Sequence, residues 1–301
     1  MTPVLVTGAA GQVGGVSGRV VELLRASGVP VRALVRRNDE RVARLRELGA
    51  EVVVADLTKS EEVFPALQGC RRVFFNMSVS SQYLEASTVM AAAARATSGI
   101  ELLVNMSQMT VSEMDLMHVT DSTQHRLQWL SEQVLQWSGV PVTHLRPTVF
   151  QENPLFWRFA AQSIENSGTI RLPFGRSRTS PISANDVAEV AAKILLEPSK
   201  YSGRALEITG PRSVDIYDLA EEYSTALGRS IDYVDVPLDT WQEEAIKKVG
   251  LPDHVRQHIL VMVALHAAGR YDRCTDLVEQ ILGRPAASLA ATITDGRNSF
   301  S

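Results

Sequence analysis

The residues with the most legible chemistry stand near the start of the chain, in Thr7-Gly8-Ala9-Ala10-Gly11-Gln12-Val13-Gly14. Gly8 permits a tight turn, Gly11 lets a ligand approach the backbone, and Gly14 lets a helix pack close to a strand. Ala10, Gln12 and Val13 complete the loop. A helix that starts here offers unpaired N–H groups and the positive end of its dipole, which suits a diphosphate. A purely structural turn is the alternative reading of the same glycines.

A second cluster follows the next β-branched run. A dinucleotide with a free ribose 2′-hydroxyl calls for Asp or Glu at this point, and the chain has Arg36 and Arg37. A guanidinium holds a 2′-phosphate through paired charge-assisted bonds worth roughly 1.5–3 kcal/mol, where a carboxylate would repel it. The pair therefore favours NADP(H) over NAD(H), with a solvated strand end as the plain alternative. Asp56-Leu57 is placed to flank an adenine. Asn76-Met77-Ser78 and Ser107 follow later strands, where ligands of such sheets sit. Ordinary turn chemistry is the competing account of each.

These groups need a scaffold, and the hydrophobic periodicity supplies one. Strands are expected at Val4–Thr7, Val31–Val35, Glu51–Val54, Arg72–Phe75, Glu101–Val104 and Val142–Leu145. Helices are expected from Gln12 to Ser27, from an Asn38 or Asp39 cap through Leu48, over Glu85–Thr97 and over Ser122–Trp137. Such alternation predicts an α/β fold, a doubly wound parallel Rossmann sheet covered on both faces. Beyond it lie an aromatic-rich helix with Phe156, Trp157 and Phe159, a Gly/Arg-rich loop, a helix at Asn185–Leu196 and a strand at Ala205–Thr209. After Pro211 the reading is mainly helical, with Ile231–Val236 as an isolated strand. Residues 1–150 with 181–210 are assigned to the NADP-binding domain, and 151–180 with 211–301 to a smaller, mostly helical substrate domain.

Composition narrows the function classes. The 301 residues have 45% hydrophobic and 21% charged residues, ordinary globular values. Lys+Arg 30 against Asp+Glu 34 gives a formal charge of -4, with no basic surplus to draw nucleic acid directly. Cys70 and Cys274 have no metal-motif spacing and fit idle thiols in a reducing compartment. The uncharged run Met1–Gly18 carries five glycines and no positive segment, so neither a signal peptide nor a membrane span is expected, and a cytoplasmic location is.

Several stretches together resemble the NmrA-like family of atypical short-chain dehydrogenases/reductases. They are the opening Val6–Gly14, the strand end Ala33-Leu34-Val35-Arg36 and Ala55-Asp56-Leu57. Trp137–Pro147 with Phe150 and Asn153, then Pro181–Ala188, then Leu206–Pro211, extend the likeness over nearly the whole chain. The resemblance implies an NADP(H)-binding Rossmann domain with a substrate cleft between it and the C-terminal part. It implies either hydride transfer from nicotinamide to a quinone, imine or conjugated carbonyl, or a non-catalytic redox-sensing role.

The wider superfamily pairs Tyr-x-x-x-Lys for proton handling. Here none of the six tyrosines has lysine four residues on, and no lysine occurs between Ser60 and Ala192. Tyr83 is the one tyrosine in that stretch. His125 and Gln128 fall where many family reductases place a lone lysine. An imidazole at His125 can exchange a proton near neutrality, with a surface or helix-capping role as the alternative. Gln128 suits a ribose hydroxyl or an amide. Met106, Met109, Met114 and Met117 crowd one irregular loop and suit an adaptable apolar surface. Met109, Met117, Phe150, Asn153 and Trp157 are the candidate contacts for a small apolar or aromatic substrate, with core filling as the competing role of the aromatics. Arg146 is expected to pair with an acidic neighbour and Asp186 to serve as an N-terminal helix charge. Gly175–Arg178 reads as an anion-holding loop or a solvated turn. A homodimer is compatible with the sequence, as is a protein partner on the regulatory reading.

Overall fold

The computed structural model describes residues 2–11 and 15–295, with the backbone but not the side chain of Trp157. Gln12, Val13 and Gly14 of the glycine loop lie outside the described residues.

Five strand–helix alternations open the chain. β1 (Val4–Thr7) leads to α1 (Val16–Ala26), β2 (Val31–Val35) to α2 (Val42–Glu47), and β3 (Glu51–Val54) to α3 (Ser60–Leu67). β4 (Arg72–Phe75) leads to α4 (Tyr83–Ala96), and β5 (Leu102–Met106) to α5 (Thr123–Trp137) through a short 3₁₀ turn at Met109–Glu113. β6 (Val142–Pro147), a π turn at Leu155–Phe159, α6 (Ala160–Ser167) and β7 (Thr169–Leu172) follow. Next come α7 (Ala184–Leu196), α8 (Pro198–Tyr201), β8 (Ala205–Ile208), α9 (Ile216–Leu227) and β9 (Asp232–Asp235). The chain ends in α10 (Leu238–Trp241), α11 (Asp253–Ala267), α12 (Leu277–Leu282) and α13 (Leu289–Asp295).

Seven strands form one sheet in the order β3-β2-β1-β4-β5-β6-β8. Val4 aligns with Val31 on one side and Arg72 on the other, and both pairings are parallel. The His144 N–H donates to the Arg204 carbonyl and the Thr148 N–H to that of Ile208, so β8 runs in the same direction as β6. Every side chain of β1 is buried, as a central parallel strand with both faces covered requires, whereas edge strand β3 is partly exposed along its length. The chain builds outward from β1 to β3 and then returns to β4. The strand order therefore reverses between β1 and β4, where open sheets of this kind bind ligands. The fold is the doubly wound Rossmann sheet that the periodicity predicts.

The chain divides into two compact units, residues 1–120, 124–146 and 187–207 against 121–123, 147–186 and 208–301. The first holds the core of Leu5, Leu34, Val73, Phe75, Met90, Leu103 and Leu135. The second is mostly helical and closes around Phe156, Phe159, Tyr223, Trp241, Val263 and Tyr271. Residues 147–150 and 181–186 fall in the second unit, where the two segments pair with each other. The Gln151 N–H donates to the Ile182 carbonyl, and the Ile182 N–H to that of Val149.

Local details differ from expectation for identifiable reasons. The stretch at Ile231–Val236 is not isolated. As β9 it pairs in parallel with β7, in a segment read as loop, with Thr169 opposite Asp232. That pairing satisfies backbone groups that a lone strand would leave open. Asp39 does not cap α2, which starts at Val42, because its carboxylate is bound to Arg41.

Candidate functional site

The turn after β1 requires glycine. Gly8 has a φ of 65°, and a Cβ added there would lie 2.7 Å from the Asn76 carbonyl oxygen. The Gly11 N–H closes the turn by donating to the Gly8 carbonyl at 2.9 Å. The Thr7 hydroxyl donates to the Asn76 carbonyl at 2.8 Å and accepts from the Asn76 N–H at 2.9 Å, locking β1 to β4. The Asn76 amide then donates to the Ser17 hydroxyl on α1 at 2.9 Å, so this side chain braces the cradle. No acidic residue stands in the first turn of α1, which leaves its positive end available to an anion. Backbone that only glycine can adopt, beside a helix start at the switch point, fits a dinucleotide diphosphate.

At the end of β2, Arg36 and Arg37 are both exposed, and Arg36 Nε lies 4.0 Å from an Asp56 oxygen. Asp56 Oδ1 accepts from the Thr58 N–H at 3.0 Å and the Thr58 hydroxyl at 2.8 Å. Those bonds, with the Arg36 charge as a smaller cause, hold its carboxyl below the usual carboxylate range. Leu57 and Met77 pack against the core of the first unit, and Ser78 is exposed. The sequence reading missed a third arginine here. Arg41 donates through its N–H and Nε to Asp39 Oδ1 at 3.1 and 2.9 Å, and through Nη2 to Asp39 Oδ2. Its Nη1 also reaches the Ala10 carbonyl in the glycine turn at 3.4 Å. The available signal was the Asp39/Arg41 pair itself, two residues apart at a strand end.

Beyond the switch point, Ser107 is buried after β5, and its hydroxyl has no hydrogen-bond partner among the described residues. Gln124 on α5 accepts from the Ser80 N–H at 3.1 Å, tying the β4–α4 loop to that helix. One turn later, the Gln128 amide reaches the Tyr83 hydroxyl. Tyr83 donates to the Met106 carbonyl at 3.0 Å, and burial pushes its hydroxyl far above the ordinary tyrosine range. Its proton is committed, so Tyr83 is no general acid. His125 is 1% exposed, an interior position rather than the surface one, with Nδ1 3.3 Å from the Thr120 hydroxyl. Under the same helix, Arg146 donates to Glu132 at 3.0 and 2.5 Å and lies 3.7 Å from Glu207, the acidic partners it was expected to have. Asn105 Nδ2 lies 3.1 Å from His144 Nδ1, and burial lowers the pKa of that imidazole.

Three of the loop methionines, Met106, Met109 and Met114, are buried. Met117 is 85% exposed on a turn in which Asp115 Oδ1 accepts from the Met117 and His118 N–H groups at 2.7 Å each. In the second unit, Phe150 forms a parallel bridge to Ile182, and Asn153 Oδ1 accepts from the Leu155 N–H at 3.0 Å. Phe156 and Phe159 are interior, edge-on to Phe174 and Trp241. The side chain of Trp157 lies outside the described residues. Asp186 is more than a helix charge: it is fully buried, 2.8 Å from Arg284, and accepts from the Ala287 N–H at 2.7 Å. In the Gly175–Arg178 loop, Arg176 lies over the Tyr217 ring and Arg178 donates to the Ser213 carbonyl. Among the described residues no His, Cys, Asp and Glu cluster could hold a metal, and no helix is long and apolar enough to cross a membrane.

The structure thus gathers Gly8, Gly11, Asn76 and Ser17 into one cradle, with Ala10, Arg41 and Asp39 at its β2 side. Known proteins are similar to this chain along nearly its whole length. A (4-alkanoyl-5-oxo-2,5-dihydrofuran-3-yl)methyl phosphate reductase of Streptomyces griseus is 32% identical over 284 residues, 94% of this chain and 94% of that protein. An NAD(P)H azoreductase of Xenophilus azovorans is 29% identical over 292 residues, 95% of each. The NADPH complex of the Escherichia coli quinone oxidoreductase QOR2 has the same fold, with a TM-score of 0.84 at 22% identity over 98% of this chain and 100% of that one. The NmrA-like family's sequence profile matches residues 2–295, from the strand before the glycine turn through α13, and the chain belongs to that family.

Proposed function

We propose that this protein is an NADPH-dependent reductase of a small, largely apolar quinone, imine or conjugated carbonyl compound. The observation that carries the reading is the glycine turn, where a side chain at position 8 would collide with the Asn76 carbonyl and where the backbone is shaped for a diphosphate. Gly8, Ala10, Gly11, Gln12, Val13 and Gly14 form the proposed diphosphate loop. Arg36 and Arg37 take the 2′-phosphate, and Asp56 and Leu57 flank the adenine. Asn76, Met77 and Ser78 line the switch point, with Ser107 and Gln128 assigned to ribose hydroxyls or the carboxamide. Bound NADPH supplies the hydride, and the chain's part is to align the acceptor against it. Met117, Phe150, Asn153 and Trp157 are the proposed acceptor contacts, with buried Met109 anchoring the loop that presents Met117.

Support for the acceptor class comes from the relatives' names. Azo compounds, quinones and dihydrofuranones are all conjugated, electron-poor acceptors. The proton comes from His125, buried on α5, or from water, because Tyr83 donates to Met106. The missing Tyr-x-x-x-Lys pair and the lack of lysine between Ser60 and Ala192 favour a second reading, an NADP(H)-binding regulator without turnover, whose partner affinity would depend on cofactor state.

The deciding experiment adds NADPH and a panel of quinones, azo dyes and conjugated lactones to purified protein, and titrates NADPH by calorimetry in parallel. Binding with oxidation of NADPH by at least one acceptor is expected. Binding with steady absorbance across the panel would replace the reductase by the regulator. No binding heat with either form of the coenzyme would remove both readings.

A further inference from the structure

Two opposed chemistries meet at the end of β2. A carboxylate at this corner suits a ribose 2′-hydroxyl, and a guanidinium suits a 2′-phosphate. The chain carries both, bound to each other. Asp39 accepts from Arg41 with both oxygens, and the same guanidinium extends to the Ala10 carbonyl of the glycine turn at 3.4 Å. In a dinucleotide the adenosine ribose is bonded directly to the diphosphate. A side chain that bridges the diphosphate cradle and the end of β2 therefore runs alongside that ribose.

We propose that Asp39 is a selectivity residue that competes with the ribose phosphate for Arg41, so that the chain accepts NAD(H) as well as NADP(H). With NADP(H), the phosphate takes the Arg41 guanidinium from Asp39 and shares it with Arg36 and Arg37. With NAD(H), Arg41 stays on Asp39, whose carboxylate accepts from the 2′-hydroxyl. The exchange is easy because both side chains are partly exposed, where an ion pair contributes little to stability. A charged carboxylate beside the incoming phosphate also opposes it. Asp39 thus lowers the preference that three arginines would otherwise confer. This inference rests on the cofactor reading above.

Asp39→Asn tests it cleanly, because an amide oxygen can still accept from the Arg41 N–H and keep the turn while the charge is lost. Calorimetric titrations of NADPH and NADH at fixed low salt are compared for the wild type, D39N, R41A and the double variant. D39N is expected to tighten NADPH, weaken NADH and raise the ratio of their Kd values by about tenfold or more. R41A is expected to weaken NADPH, and D39N should tighten NADPH far less in the R41A background than in the wild type. A ratio that moves less than about twofold in D39N, or the same tightening with and without Arg41, overturns the proposal. A wild type that binds neither nucleotide removes the cofactor reading itself. Wild-type binding with an unmoved ratio removes only the role of Asp39.

Discussion

Replacing Gly8 by alanine tests the cradle most directly, because the structure separates its two penalties. The first is conformational: at a φ of 65° an alanine pays roughly 1–2 kcal/mol for left-handed backbone. The second is steric. The new Cβ would stand 2.7 Å from the Asn76 oxygen, which is backbone and must move by several tenths of an ångström. That oxygen accepts from Thr7, whose hydroxyl also accepts from the Asn76 N–H, so the shift strains two hydrogen bonds worth about 1 kcal/mol each. The expected loss is therefore about 3–4 kcal/mol, if both bonds are weakened. Gly15 is the internal control, with a φ of 61° and nothing within 4 Å of its added Cβ. Gly15→Ala should show the conformational penalty alone, roughly 1–2 kcal/mol. Urea unfolding of both variants measures stability, and NADPH titration of each measures the cradle. G8A should also weaken NADPH by at least about tenfold. Equal unfolding free energies for G8A and G15A would refute the steric account, and wild-type NADPH affinity in a folded G8A would remove the diphosphate from this turn.

The remaining predictions concern buried charge. Glu132→Gln leaves Arg146 with only the more distant Glu207, and losing one partner of a buried pair should cost about 3 kcal/mol in urea unfolding, with a loss under about 1 kcal/mol counting against the pair. His266 is stacked on Phe174 and Tyr271, and burial lowers its pKa to about 4 against the ordinary 6.5. The unfolded chain therefore binds a proton that the folded chain refuses, and this contribution to stability, full above 6.5, is lost as pH falls toward 4. His266→Phe keeps the stacking and loses the bond to the Met262 carbonyl, so it should be about 1 kcal/mol less stable at neutral pH and should close or reverse that gap near pH 4.5. A gap that stays constant with pH would show that His266 does not titrate on unfolding.

Legibility followed the range of the physical cause. β1 to β6 were readable because each carries a short run of apolar residues, and such runs are local. The glycine turn was readable because a positive φ selects one residue type. α3 escaped notice because Pro65 sits inside it, where proline usually marks an end. β7 escaped because its four residues gain a ladder only from β9, some sixty positions away. Within the site, positions were legible but partners were not. Asn76 falls at a ligand-facing strand end, yet its amide is bound to Ser17, 59 residues earlier. Arg41 meets Ala10 across 31 residues, a contact that no helix or strand period encodes. The methionine loop shows the same limit: its composition announced an apolar surface, and only the fold determined that Met109 faces inward and Met117 outward.

These partners bear on what the site can catalyse. Of the groups that could donate a proton, Tyr83 is committed to the Met106 carbonyl and His125 is interior. Around them stand a backbone cradle, exposed guanidinium groups, neutral amides and the Ser107 hydroxyl, unpartnered among the described residues. On the reductase reading such a site works by orienting two reactants, and alignment is worth up to roughly 7–11 kcal/mol when geometry is ideal. Alignment alone is sufficient only for acceptors that take hydride readily and leave a stabilised anion for water to protonate. Quinones and conjugated carbonyls meet that condition and simple ketones do not. On the reductase reading, the missing Tyr-x-x-x-Lys pair is thus itself a selectivity element, since it confines the chemistry to electron-poor conjugated substrates.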